Sequence, residues 1–229
     1  MAALGPHHLN GVRRRGSGRK ILFRVIGHAL VHAPRHALHP VSERWVAAGF
    51  AVGSLCFFFG PFPGFVQLVG ARADAWVFFV GSLFFTAAAG LELMHATRDR
   101  PDRDATWWSA AIQFAGTLFF NFSTFDVLLS DLTAKQEDHL IWAPDAFGSA
   151  CFLASAVIGY RASARPRTMA AVNLAGCIFF AISAVAAYVV PDTGSMLDLA
   201  AANWNTALGA LCFFAGALML ARHPGGTTP

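Results

Sequence analysis

Apolar side chains in this chain neither alternate with period two nor form a single helical stripe. They run on for about twenty positions at a time, between short polar clusters, which is the length a helix needs to cross the hydrocarbon of a bilayer. Six such runs stand out, at 44–60, 75–95, 107–128, 141–160, 168–190 and 199–222. Backbone donors and acceptors find no water inside a membrane, so each run is expected as a helix. The pattern predicts an all-α integral membrane protein, a six-helix bundle. The first run is the shortest, and Gly60-Pro61-Phe62-Pro63-Gly64 must break it. The residues that follow, 65–69, read as an interfacial or re-entrant piece.

Composition agrees with a lipid-facing surface. Hydrophobic residues make up 55% of the 229-residue chain and charged ones only 13%, about half of what a water-facing surface carries. Cations then fix the orientation. If the N-terminus is cytoplasmic, 15 of the 17 lysines and arginines fall on the inner side, and only Arg72 and Lys135 fall outside. An odd number of spans would destroy that alternation. Both termini are therefore expected in the cytoplasm, with the chain in the plasma (inner) membrane. Trp45, Trp76, Trp107, Trp108, Trp142, Tyr160 and Tyr188 stand at run ends, where amphipathic rings favour the headgroup level.

The expected organisation is a basic cytoplasmic arm at 1–43, a transmembrane domain at 44–222 and a short cytoplasmic tail at 223–229. Residues 20–31 of the arm read as an interfacial helix, with Arg19, Lys20 and Arg24 toward anionic headgroups. The partner implied is the lipid bilayer rather than nucleic acid. His28 and His32, four apart, leave metal binding or pH sensing as a second reading of the same segment. A homo-oligomer is left open.

Each run carries a glycine, usually a small residue, and an apolar pair ending in phenylalanine. The glycines are Gly53, Gly81, Gly116, Gly148, Gly176 and Gly209, and the copies run from Gly53-Ser54-Leu55-Cys56-Phe57 to Gly209-Ala210-Leu211-Cys212-Phe213. Small residues let membrane helices approach closely, so these read as packing seams. Their spacing, 28, 35, 32, 28 and 33, admits a division after the third run. Two three-helix halves would be inverted repeats, as in many transporters. Chance recurrence in a chain rich in Ala, Gly, Phe and Leu is the alternative.

The segment Phe50-Ala51-Val52-Gly53-Ser54-Leu55 with Phe57-Phe58, followed by Ala75-Trp76-Val77-Phe78-Phe79-Val80-Gly81-Ser82-Leu83, resembles the YrhK-like family of small membrane proteins. The likeness covers about 44–100, with a looser echo in the second half. It implies a two-helix membrane unit with an Arg-Pro near its end, for which Arg100-Pro101 is the nearest equivalent. It implies no activity.

Polar groups inside the runs are the remaining candidates. Gln113, Asn121, Asp126, Asp145, Asn173 and Asn205 could line a polar pathway, although interhelical hydrogen bonding and hydrated span ends explain them equally well. Asp131, Glu137, Asp138 and His139 would join Asp126 and Asp145 in an external acidic vestibule if the loop brought them together. Glu92 and His95, at i and i+3, have metal-ligand spacing, but no second Glu-x-x-His accompanies them. Pairing with an arginine such as Arg98 is preferred. Cys56, Cys151, Cys177 and Cys212 lie in apolar runs without metal or disulfide spacing. No nucleotide, hydrolase or metalloprotease signature is found, so neither catalytic residues, a metal nor a cofactor is expected, and the chain is not read as an enzyme. The two functions left are a scaffold or sensor and, alternatively, a small solute or ion transporter or channel built from inverted repeats.

Overall fold

The computed structural model describes residues 39–99, 102–129, 132–162 and 165–222. Residues 1–38 of the basic arm, with His28 and His32, the tail, Arg100-Pro101 and Asp131 lie outside the described residues, whereas residues 39–43, expected in the arm, already belong to the first helix. Within them the chain is almost wholly helical. The order is α1 (His39–Phe59), α2 (Pro63–Val69), α3 (Ala71–Asp99), α4 (Ala105–Asp126), α5 (Ala134–Glu137), a π-helical turn (Asp138–Trp142), α6 (Ala143–Ala162), α7 (Arg167–Ala186), β1 (Val189–Val190), β2 (Ser195–Met196) and α8 (Leu199–Arg222).

Local chemistry sets the boundaries. Gly60 and Pro61 end α1, and Pro63, in the first turn of α2, restarts the helix where a missing N–H costs nothing. The axis bends by 93° across that break, so the chain turns aside from Pro63, two residues before the 65–69 piece expected from the sequence. Asp104 caps α4, accepting from the N–H groups of Thr106 and Trp107 at 3.0 Å each. One stretch departs from expectation. Residues 187–190 were assigned to the end of a span, but Val189 and Val190 pair with Met196 and Ser195 in a small antiparallel hairpin. Pro191 cannot continue a helix, and Gly194 takes φ +62°, a turn conformation open to glycine.

The α3, α7 and α8 helices, and the continuous stretch from Lys135 to Ala162, are each long and apolar enough to cross a membrane. Counting the bent α1–α2 pair as one span makes five. The chain is therefore membrane-embedded. The α4 helix is long enough at 22 residues but less apolar than these, because Ser109, Gln113, Thr117, Asn121, Ser123 and Thr124 dilute it. Those residues turn toward other helices. Asn121 donates to Thr86 of α3 at 2.9 Å, Thr124 bonds Ser82 of α3 at 3.0 Å, and Ser109 meets Ser155 of α6. Trp108, Leu118, Phe119, Phe122 and Phe125 occupy its exposed side.

Sequential long helices pack side by side, and α8 closes back onto α1. Within this closed arrangement the glycine motif works in reciprocal pairs. A methyl on Gly53 would meet Phe85 at 3.0 Å, and one on Gly81 would meet Phe57 at 3.1 Å, across the α1/α3 seam. Gly116 faces Phe152 and Gly148 faces Phe120 across α4/α6, and Gly176 faces Phe213 and Gly209 faces Phe180 across α7/α8. Each glycine makes room for the phenylalanine that lies four residues beyond its partner glycine. The glycine–phenylalanine contacts thus join the long helices two by two, where a glycine on both sides of a seam eases close backbone approach.

The six phenylalanines, each 7% exposed or less, form the core. They fall into two tiers. Phe57, Phe120 and Phe180, one from the first helix of each pair, contact one another at 5.9–6.2 Å. Phe85 and Phe152, from the second helices, each contact Phe213, at 6.0 and 6.1 Å. Within each pair the tiers touch at 5.0–5.5 Å. Beside them the residue after each glycine is buried, from Ser54, Ser82, Thr117 and Ala210 at 0% to Cys177 at 3%.

Candidate functional site

Above the phenylalanine core, toward the arginine-bearing helix ends, the helices part around a cavity of ≈ 290 Å³. All of α1, α3, α4, α6, α7 and α8 contribute to its wall. Phe85, Phe152 and Phe213, the second-helix tier, form its apolar floor. Gln113 and Asn173 stand on the wall with Ser109, Ser155 and Tyr160, and Glu43, Glu92, His95, Asp99 and Arg165 surround the mouth.

The polar wall is built from the sequence of α4 upward. Thr106, Ser109, Ala110 and Gln113 recur at i, i+3, i+4 and i+7, one face of a helix, and all line the cavity. Ser109 and Ser155 exchange bonds across the α4/α6 seam. The Ser109 hydroxyl donates to the Ser155 carbonyl at 2.9 Å, and the Ser155 hydroxyl donates to the Ser109 carbonyl at 2.8 Å. The Ser155 hydroxyl also reaches the Gln113 amide oxygen at 3.3 Å. On the opposite wall the Asn173 amide makes no hydrogen bond among the described residues. An amide at membrane depth without a protein partner is turned to whatever fills the cavity.

At the mouth, Arg165 pairs with Glu92 at 3.0 Å, the arginine side chain 41% exposed. The expected arginine partner of Glu92 is thus present, but it comes from the loop before α7 rather than from Arg98. No group of three His, Cys, Asp or Glu side chains is placed to hold a metal ion among the described residues.

Of the six residues expected along a polar pathway, Gln113 and Asn173 meet in this cavity and the others do not. Asn121 is tied to Thr86 at the α3/α4 seam, and Asn205 donates to the Ala201 carbonyl of its own helix at 2.8 Å. Asp126 ends α4 and Asp145 stands in the first turn of α6, both at the opposite end of the helices. The six motif glycines lie at the seams described above. Sequence reasoning passed over Ser109, Ser155, Tyr160, Arg165, Glu43 and Asp99. The repeat of small polar residues on one face of α4 was a legible signal for the first, whereas the remainder converge only through the fold.

Residues 37–97 match the sequence model of the YrhK-like protein family. This YrhK-like segment holds α1, α2 and nearly all of α3, with one complete glycine–phenylalanine exchange. It also supplies Glu43, Glu92 and His95 to the mouth and Phe85 to the floor. No curated protein and no solved structure matches the chain.

Proposed function

We propose that this is a six-span plasma-membrane protein with both ends in the cytoplasm, which binds a small molecule in the axial cavity and acts as a sensor-type receptor, without catalysis. The observation that carries the reading is a cavity walled by every long helix and stopped by two tiers of phenylalanine. Its ≈ 290 Å³ falls just short of the about 300 Å³ at which small-molecule pockets begin, room for a small ligand. An apolar floor with a few convergent polar groups is the usual composition of such a site. Six spans are supported by α4, whose polar residues all find helical neighbours or the cavity while its aromatic side faces outward. The cytoplasmic assignment rests on the arginine distribution, and it opens the vestibule to the cytoplasm.

Transport is the second reading, favoured by a cavity that is walled by every long helix and brings the polar Gln113 and Asn173 together. The repeating unit would then be the two-helix pair or the inverted three-helix half. Proteoliposomes decide between the two. The receptor reading expects saturable binding of a cavity ligand by the purified chain and no net flux of that ligand. Saturable flux would replace it with transport, and the absence of binding to a chain with unchanged helix content would remove both.

A further inference from the structure

The charged side chains at the mouth of the vestibule are already engaged. Arg165 and Glu92 pair at 3.0 Å, and Glu43, His95, Asp99 and Arg165 all make interactions within the protein. The groups still open to a ligand lie deeper. Asn173 stands six residues after Arg167 and Gln113 eight after Ala105, about 9 and 12 Å along their helices at about 1.5 Å per residue. The Asn173 amide makes no hydrogen bond among the described residues, which leaves both its N–H donors and its carbonyl oxygen open. Gln113 uses only its oxygen, toward the Ser155 hydroxyl at 3.3 Å, so its N–H donors are open as well. Ser109 and Ser155 are bonded to each other. Space for a ring adjoins these amides. Phe213, Gly216, Ala217 and Leu220 share one face of α8 and line the cavity, and a methyl on Gly216 would meet nothing within 4 Å.

These open groups define their complement. The Gln113 and Asn173 N–H groups call for an acceptor, and the Asn173 oxygen calls for a donor. A carboxylate has no donor and an ammonium has no acceptor. Either would also bring a charge between neutral walls, where losing its water is costly. A carboxamide carries donor and acceptor side by side on one planar edge, the pattern that pairs with another carboxamide at two points. We infer that the vestibule takes an uncharged carboxamide borne on a flat ring, with its amide edge against Asn173 and Gln113 and its ring over the Phe85–Phe152–Phe213 floor, in the space that Gly216 leaves. This rests on reading the vestibule as a ligand site.

Isothermal titration of the detergent-purified full chain tests this with four probes of one flat shape. Benzamide offers a donor and an acceptor, and acetophenone an acceptor alone. Benzoate offers acceptors with a negative charge, and benzamidinium donors with a positive one. Benzamide is expected to bind about threefold to tenfold tighter than acetophenone, the worth of a neutral hydrogen bond, and both ions more weakly still. Asn173→Leu, close to asparagine in size, is expected to erase the lead of benzamide over acetophenone. Gly216→Leu places bulk where an added methyl meets nothing, and is expected to abolish saturable binding of every probe. Its titration also supplies the baseline for partition into the micelle, and circular dichroism confirms that each variant folds. Equal or tighter binding of acetophenone or of either ion, or a benzamide lead that survives Asn173→Leu, would overturn the carboxamide assignment and leave the ligand site standing. Silence from all four probes, or binding undiminished in Gly216→Leu, would overturn the assignment together with the reading beneath it.

Discussion

At the scale of single residues, the glycines decide how near the helices come. A methyl on Gly53 would lie 2.9 Å from the Gly81 carbonyl oxygen, a backbone atom that cannot swing aside. Gly216, in the interior of α8, has nothing within 4 Å of the same added atom. The two substitutions to alanine should therefore differ in sign. Gly53→Ala is expected to destabilise by about 1–3 kcal/mol through forced separation of α1 and α3. Gly216→Ala should stabilise by roughly 0.5–1 kcal/mol, because alanine loses less backbone freedom in a helix. Thermal unfolding of the two variants in detergent, followed by circular dichroism, compares them directly. Equal midpoints would show that the Gly53 contact carries no weight.

Whole elements are held by few, local polar bonds set into apolar seams. The Ser109–Ser155 exchange joins α4 to α6 beside the vestibule, and Ser183 joins α7 to α8 by donating to the Ala202 carbonyl at 2.8 Å. Such bonds average about 0.6 kcal/mol in membrane helices, because alternative partners exist before the helices associate. Each hydroxyl donates to a backbone carbonyl that alanine keeps. Ser109→Ala and Ser155→Ala should therefore each lower stability by about that amount, no more than about 1.7 kcal/mol, with nearly additive losses in the double variant, as thermal unfolding in detergent would show. Van der Waals packing of the paired glycines and phenylalanines carries the larger share. Sequence legibility follows the same division. The boundaries of the long helices were readable to within a few residues because apolar length and proline breaks act locally, as at Phe59 and Arg222. The pairing of glycines was not, since five near-equal spacings suit division into twos or threes alike.

For the molecule as a whole, the expected topology places the vestibule toward the cytoplasm and the β1–β2 hairpin outside. Single cysteines at Arg98 and Asp192, introduced after alanine replaces Cys56, Cys151, Cys177 and Cys212, report on this. In right-side-out vesicles an impermeant maleimide is expected to label Asp192→Cys and to spare Arg98→Cys until the membrane is broken. Labelling of Arg98→Cys in intact vesicles would reverse the orientation and with it the side from which a ligand enters. The membrane-spanning parts carry exposed apolar side chains over much of their outer surface, among them Trp45, Phe122, Phe147 and Trp204. Lipid rather than a second protein layer is the economical cover for them.

The sequence by itself determined that the chain is helical and membrane-embedded, where its helices start and stop, and that glycine seams would join them. These follow from hydropathy, backbone satisfaction and local steric rules, all of which act along the chain. Only the tertiary structure decided that the seams come in reciprocal twos, that six phenylalanines stack in two tiers, and that Gln113, Asn173, Glu92 and Arg165 face one cavity while Asn121 and Asp145 do not. A polar residue in an apolar helix must turn away from lipid, but which neighbour it turns toward depends on helix order and rotation in space. Distance along the chain carries no record of that.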